Sequence, residues 1–344
     1  MIIVLRADAT EADLEHLVAR IERVGLKAHV SRGTQRTIVG VVGDEDVIRS
    51  EPLDRLPGVE RAMQVLRPYK LASLEFHPDP SVVEVKGVRI GHGTVTVVAG
   101  PCTVEGEAML TDIAAAVKAG GAAALRGGAF KPRTSPYSFQ GLGEEGLKLL
   151  RAASDLTGLP VITEVMDTRQ VPLVCEYADV LQVGARNMQN FNLLTEAGQT
   201  GKPVLLKRGM AASVTEWLMS AEYVLSQSAS PVILCERGIK TFEDGTRFTL
   251  DLSAVPAVQA LSHLPVIVDP SHATGHSHLV APMALAAIAA GADGIMVEVH
   301  AAPAEARCDG QQALVPTAFA AMVDQIHGLA KLLGKEMAAP TTDD

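Results

Sequence analysis

Eight apolar runs, most of them followed by an alanine-rich helical stretch, predict an α/β protein built on a (β/α)8 barrel. A separate pattern in the first 66 residues predicts a small ferredoxin-like βαββαβ module ahead of it. The barrel runs are continuously apolar, as parallel strands covered on both faces must be. A doubly wound open sheet would carry GxGxxG after its first strand, and no such motif is found there.

Within the module, Ile2 to Leu5 is a short apolar strand. Thr10 can cap a helix whose Leu14, Leu17, Val18, Ile21 and Val24 follow helical spacing. "KAHVSR" and "RTIVGVVG" read as paired strands, a shorter helix is expected around Val47 to Leu56, and "VERAMQVL" closes as a further strand. The proline-rich "RPYKLASLEFHPDP" reads as a linker and "VVEVKGVRIGHG" as a small hairpin. Then come the barrel strands "VTVVAG", "AAALRGG", "PVITEV", "DVLQVGAR", "KPVLLKRG", "PVILCERG", "PVIVDPSH" and "DGIMVEVH". The expected organisation is a module over 1–66, a linker with hairpin over 67–94, a barrel over 95–334 and a flexible tail over 335–344.

The formal net charge is -10, and no basic stripe with interleaved aromatics is present, so no nucleic-acid partner is expected. No apolar run approaches the roughly 18 residues that cross a bilayer, so no membrane is expected either. "MIIVLRADAT" turns polar too soon for a signal peptide. Cys102, Cys175, Cys235 and Cys308 form no CxxC pair and are too sparse for a disulfide framework, which suits a reducing cytoplasm.

Each predicted strand ends in a residue capable of chemistry: Cys102, Arg126, Glu164, Arg186, Lys207, Arg237, His272 and Glu298. Closing the barrel would bring all eight to one face, where barrel enzymes build their sites. Arg126, Lys131, Arg186, Lys207 and Arg237 would concentrate positive charge there. Arginine forks match carboxylate and phosphate oxygens in pairs, so a small polyanion bearing both groups is the expected ligand. Cys102, His272, Glu298 and Asp309 form a second set, suited to a divalent transition metal. They become neighbours only if strand eight pairs with strand one. His276, His278 and His300 are possible decoys, and "HATGHSH" could be a plain solvated loop.

"AGPCTVE", "LRGGAFKPRTSPYSFQG", "LQVGARNMQNFNLL", "VLLKRGM", "CERGI", "VDPSHATG" and "GIMVEVH" together resemble 3-deoxy-D-arabino-heptulosonate 7-phosphate (DAHP) synthases of the type I beta branch. The resemblance implies condensation of phosphoenolpyruvate with erythrose 4-phosphate, the first step of the shikimate pathway. It implies that Cys102, His272, Glu298 and Asp309 hold one Mn2+, Fe2+, Zn2+, Co2+ or similar ion, and that the five cations cradle phosphoenolpyruvate. It assigns Arg133, Thr134 and Ser135 to the aldose phosphate, and places Lys131, Glu164 and Asp269 near the reacting atoms. Gly127 and Gly128 would let the backbone approach the ligand, and Pro132 would stiffen the phosphate reader. The module is implied to be regulatory, binding tyrosine or phenylalanine, and the assembly to be a homotetramer.

Two rivals remain at this stage. A 3-deoxy-octulosonate 8-phosphate synthase typically carries Lys-Ala-Asn-Arg-Ser where this chain has "KPRTS", and lacks the module. A non-catalytic phosphosugar sensor would show a broken metal set. Two positions depart from the family pattern: Ala301 follows His300 where proline is usual, and Cys308 directly precedes Asp309. The second puts another thiol beside the metal site, where it could close a disulfide with Cys102 in the metal-free protein.

Overall fold

The structure is a computed structural model and describes residues 1–33, 36–43, 53–63, 68–132, 135, 137–227 and 230–340. The chain divides into two units, Met1–Pro80 with Leu261–His263, and Ser81–Ala260 with Leu264–Asp344.

In the first unit, β1 (Ile2–Leu5), α1 (Glu11–Arg23), β2 (Lys27–Arg32), β3 (Thr37–Val42) and β4 (Val59–Met63) follow one another. The strands form an antiparallel sheet in the order β2-β3-β1-β4, the split βαβ arrangement. β1 lies between two neighbours and is buried along its whole length, which is why it is apolar without alternation. The Thr10 hydroxyl accepts from the Asp13 amide while Asp13 accepts from the Thr10 amide, a reciprocal cap that starts α1. Leu14, Leu17 and Ile21 then face a core shared with Ile3, Leu5, Val39 and Val41. Of the helix expected at Val47–Leu56, Leu53–Arg55 is a 3-10 turn, and residues 47–52 lie outside the described residues, as do 64–66 of the last strand run.

The second unit opens with the hairpin β5 (Val82–Val85) and β6 (Val88–Gly91). Eight parallel strands follow: β7 (Thr94–Gly100), β8 (Ala124–Arg126), β9 (Val161–Glu164), β10 (Val180–Val183), β11 (Val204–Lys207), β12 (Val232–Glu236), β13 (Val266–Val268) and β14 (Gly294–Glu298). Each pairs with the next, and β14 returns to β7 with Gly294 opposite Thr96 and Glu298 opposite Gly100. The barrel is closed, as the sequence predicts. A short β15 (Glu336–Met337) pairs with the start of β7, so these residues are strand rather than tail.

Around the strands run α2 (Glu107–Ala119), α3 (Glu144–Thr157), α4 (Val171–Tyr177), α5 (Phe191–Gly198), α6 (Val214–Leu225), α7 (Ala254–Gln259), α8 (Pro270–Thr274), α9 (Ser277–Ala289) and α10 (Pro316–Leu332). Among the described residues no helix is long and apolar enough to cross a membrane. The fully buried Trp217 fixes α6 against the wall by donating its indole N–H to the Leu206 carbonyl at 3.2 Å. Val83, Val85, Val88 and Ile90 of the hairpin share one core with Val98, Ile162, Leu205, Ile233, Ile267 and Met296 of the strands. Lys86 of the hairpin turn pairs with Asp179, the residue before β10, so the hairpin plugs the amino end of the barrel. The carboxyl end is left open for a site.

Candidate active site

A cavity of about 340 Å3 opens at the carboxyl ends of the strands. Arg126, Lys131, Arg186, Lys207 and Arg237 all line it, together with Glu164, His272 and Asp309. Five cations from the ends of β8, β10, β11 and β12 and the loops that follow them thus face one space, as the closed barrel requires. Arg126, Lys131, Lys207 and Arg237 are buried, so their charges are not screened by bulk water. Arg186 is the looser member, with Nη1 3.5 Å from the Pro132 carbonyl. Ser135 lines the cavity, while Arg133 and Thr134 lie outside the described residues.

Two of the buried cations are tied to carboxylates and a third to a thiol. Arg126 Nη1 donates to Glu298 Oε1 and to the Pro101 carbonyl, both at 2.9 Å. Lys207 Nζ pairs with Asp269 Oδ2. Lys131 Nζ lies 2.8 Å from Cys102 Sγ and 3.3 Å from the Cys102 carbonyl. Burial works to lower the Lys131 pKa, but its acidic neighbours, the Glu298 carboxylate among them, outweigh it and hold the ammonium protonated beyond its ordinary range. Arg126 Nε is buried and has no partner among the described residues, an unused donor in a site built for an anion.

Cys102, His272, Glu298 and Asp309 each bring one donor atom to a cluster in which all four lie within 4.8 Å of one another. Ligands at about 2.0–2.3 Å from one ion cannot stand more than about 4.6 Å apart, so the cluster is close to the span a single ion imposes. An outer layer orients the donors, as metal sites require. His272 Nδ1 meets Asp269 Oδ2 at 2.8 Å, turning Nε2 toward Glu298 Oε1 at 3.2 Å. Gln312 Nε2 donates to Glu298 Oε2 at 2.8 Å, and Arg247 Nη1 bonds Asp309 Oδ1 at 3.3 Å and Gln312 Oε1 at 3.0 Å.

The electrostatics suit this reading. Burial would raise the Asp309 pKa, but Lys131 and Arg247 hold it well below the usual carboxylate range. Burial likewise opposes ionisation of Glu298, and the cations Arg126 and Lys131 beside it prevail, leaving it low. Burial lowers the His272 pKa against the pull of Asp269 and Glu298, which favours the neutral imidazole a metal binds. Cys102 is pushed well up by burial, Cys308 and Glu298, so as a bare thiol it keeps its proton. Sulfur, nitrogen and two carboxylates, so oriented, fit a borderline divalent ion.

Asp269 does not line the cavity; it is fully buried behind the wall, gripping His272 and Lys207 at once. Glu164 lines it with Oε2 3.4 Å from Gln182 Nε2. His276 and His278 pack on each other at 5.7 Å between centroids, outside the cavity wall, and His300 is buried apart from it. Sequence reasoning passed over Arg247, Gln182 and Gln312. Arg247 sits in the "TFEDGTRF" loop and Gln312 in "DGQQ", away from any strand end. A search for polar residues shortly after a candidate ligand would have found Gln312. For Arg247 the sequence offers no such marker.

Comparison with known proteins identifies the family. Residues 75–333 match the model described as the DAHP synthetase I family, and residues 1–67 match the DAHP synthase ferredoxin-like domain. Phospho-2-dehydro-3-deoxyheptonate aldolase of Thermotoga maritima is 50% identical over 97% of this chain and 99% of its own length. Its crystal structure matches with a TM-score of 0.78 at 49% identity, covering 98% of each chain. A 2-dehydro-3-deoxyphosphooctonate aldolase of Magnetococcus marinus is 31% identical over 75% of this chain and 96% of its own. The matches to the barrel and to the module, in the same order and nearly end to end, make this chain a member of the DAHP synthetase I family.

Proposed function

We propose that the cationic cavity is where this chain carries out its family's reaction. Phosphoenolpyruvate, erythrose 4-phosphate and water are condensed to 3-deoxy-D-arabino-heptulosonate 7-phosphate and phosphate, the entry to aromatic amino-acid biosynthesis. The observation that carries this reading is a cavity lined by six cations, Arg247 joining the five above, and reaching two members of a four-donor metal cluster.

Cys102, His272, Glu298 and Asp309 would hold a divalent ion, which when bound acts as a Lewis acid on the aldehyde oxygen. Mn2+, Fe2+, Zn2+ and Co2+ all suit the donor set. Arg126, Arg186, Lys207 and Arg237 hold the phosphate and carboxylate of phosphoenolpyruvate, with the spare Nε of Arg126 available to the anion. Holding both substrates aligned matters because C3 of an enol ether is a weak nucleophile. Lys131, kept protonated among buried groups, donates to the aldehyde oxygen as C3 attacks. Water adds at C2, and phosphate leaves with cleavage of its C–O bond while the arginines stabilise the departing dianion. Asp269 acts through His272 and Lys207, setting their positions. Arg133, Thr134 and Ser135 read the aldose phosphate.

The first unit is taken to bind tyrosine or phenylalanine as a feedback effector, and the chain to work as a cytoplasmic homotetramer. Both rest on the family resemblance. The test of the central reading is turnover with two aldoses after metal reconstitution. Product from erythrose 4-phosphate is expected. Turnover confined to arabinose 5-phosphate would instead make the chain a 3-deoxy-octulosonate 8-phosphate synthase, and none with either would leave a binding protein.

A further inference from the structure

Cys308 has no part in the chemistry above, yet its Sγ lies 3.6 Å from Cys102 Sγ and 3.3 Å from Asp309 Oδ2. Cys102 Sγ is itself 3.2 Å from that same oxygen. The two sulfurs and the oxygen therefore form a nearly equilateral triangle. Tetrahedral coordination with metal–sulfur bonds of about 2.3 Å and metal–oxygen bonds of about 2.1 Å sets sulfurs roughly 3.8 Å apart and sulfur to oxygen roughly 3.6 Å. The observed edges lie just inside those values.

The triangle depends on an unusual backbone. Neighbouring side chains normally diverge, but Asp309 has φ 52°, in the left-handed region that a non-glycine residue rarely adopts. Through that turn the side chains of Cys308 and Asp309 both reach Cys102. Both thiols are buried, and Lys131 stands 2.8 Å from one of them, ready to balance thiolate charge. Soft thiolates select zinc, cadmium or copper(I) over manganese.

We propose that Cys102, Cys308 and Asp309 form a two-sulfur site for thiophilic ions, overlapping the catalytic donor set and sharing two of its members. Each thiol releases its proton to solvent as the ion binds. The inference rests on the metal site proposed above and adds that this chain's ion preference is set by Cys308.

The test uses full-length protein, stripped of metal and kept reduced, with binding of Zn2+ and Mn2+ measured by calorimetry and Co2+ by absorption. Cys308→Ser is expected to weaken Zn2+ binding by about tenfold or more and to halve, roughly, the sulfur-to-cobalt charge-transfer band. Mn2+ affinity should stay within about twofold of wild type, which also reports an intact fold. Cys308→Ala provides a second variant should serine disturb the turn. An unchanged cobalt band with unchanged Zn2+ affinity overturns the inference while leaving the catalytic site standing. Wild-type protein that binds none of the three ions overturns both.

Discussion

Arg126 illustrates how a residue serves structure and chemistry together. Its guanidinium, on the cavity wall, neutralises the buried Glu298, so removing it leaves that carboxylate without its cation. Arg126→Met should raise the KM for phosphoenolpyruvate and cost about 3–5 kcal/mol of stability, read by calorimetric or denaturant unfolding. Normal stability with an altered KM would show that Glu298 finds another partner. Arg133→Ala should act on the other substrate, with a loss of roughly 2–5 kcal/mol expressed as a higher KM for erythrose 4-phosphate. At this scale the sequence disclosed the residues that end strands, because a polar residue breaking an apolar run is conspicuous. Cys102, Arg126, Lys207 and His272 were all legible in that way. Arg247 and Gln312 were not, since their importance comes from what they touch across the mouth, and a loop's path is not written in its periodicity.

Among the elements, the strands were the most readable and the module's second helix the least, because eight buried runs repeat one pattern whereas the stretch before β4 has little periodicity. The seam between β14 and β7 explains a detail that the pattern alone left unexplained. A Cβ on Gly294 would stand 2.3 Å from the Thr96 carbonyl oxygen, so the closing strand needs a residue without a side chain there. Gly294→Ala should destabilise the barrel by about 1–3 kcal/mol, seen as a lower Tm together with weaker metal binding. A second element effect concerns the segment Leu261–His263, which belongs to the first unit although it lies between α7 and β13. Burial pushes His263 from 6.5 down to about 4, aided by His77 and opposed by the Leu71 carbonyl at 2.8 Å. The imidazole is neutral when folded, while the unfolded chain protonates it near its ordinary value. The unfolded state thus binds the extra proton between those two values, and stability falls as pH drops through that window. The loss approaches about 3 kcal/mol near pH 4 and is absent above about pH 7. His263→Gln should flatten this part of the unfolding profile; an unaltered slope would reassign it to other groups.

For the whole molecule, the division into units makes the proposed regulation separable from catalysis. The cavity and the metal donors all belong to the second unit, so a version of this chain beginning near residue 67 should keep turnover and lose the proposed inhibition by tyrosine or phenylalanine. Full inhibition retained after truncation would place the effector elsewhere. The sequence conveyed both units because each has its own period and order of elements. It could not convey whether an effector binds, since such recognition depends on surfaces rather than on a repeating pattern.

Trp217 has a practical consequence. It is the chain's one tryptophan, and it is held in the second unit by its bond to the wall one residue before Lys207. Intrinsic emission excited at the indole edge is therefore a native reporter of the catalytic half alone, whereas far-ultraviolet dichroism sees both halves. Two melting curves that separate would reveal the module letting go first, with no label attached.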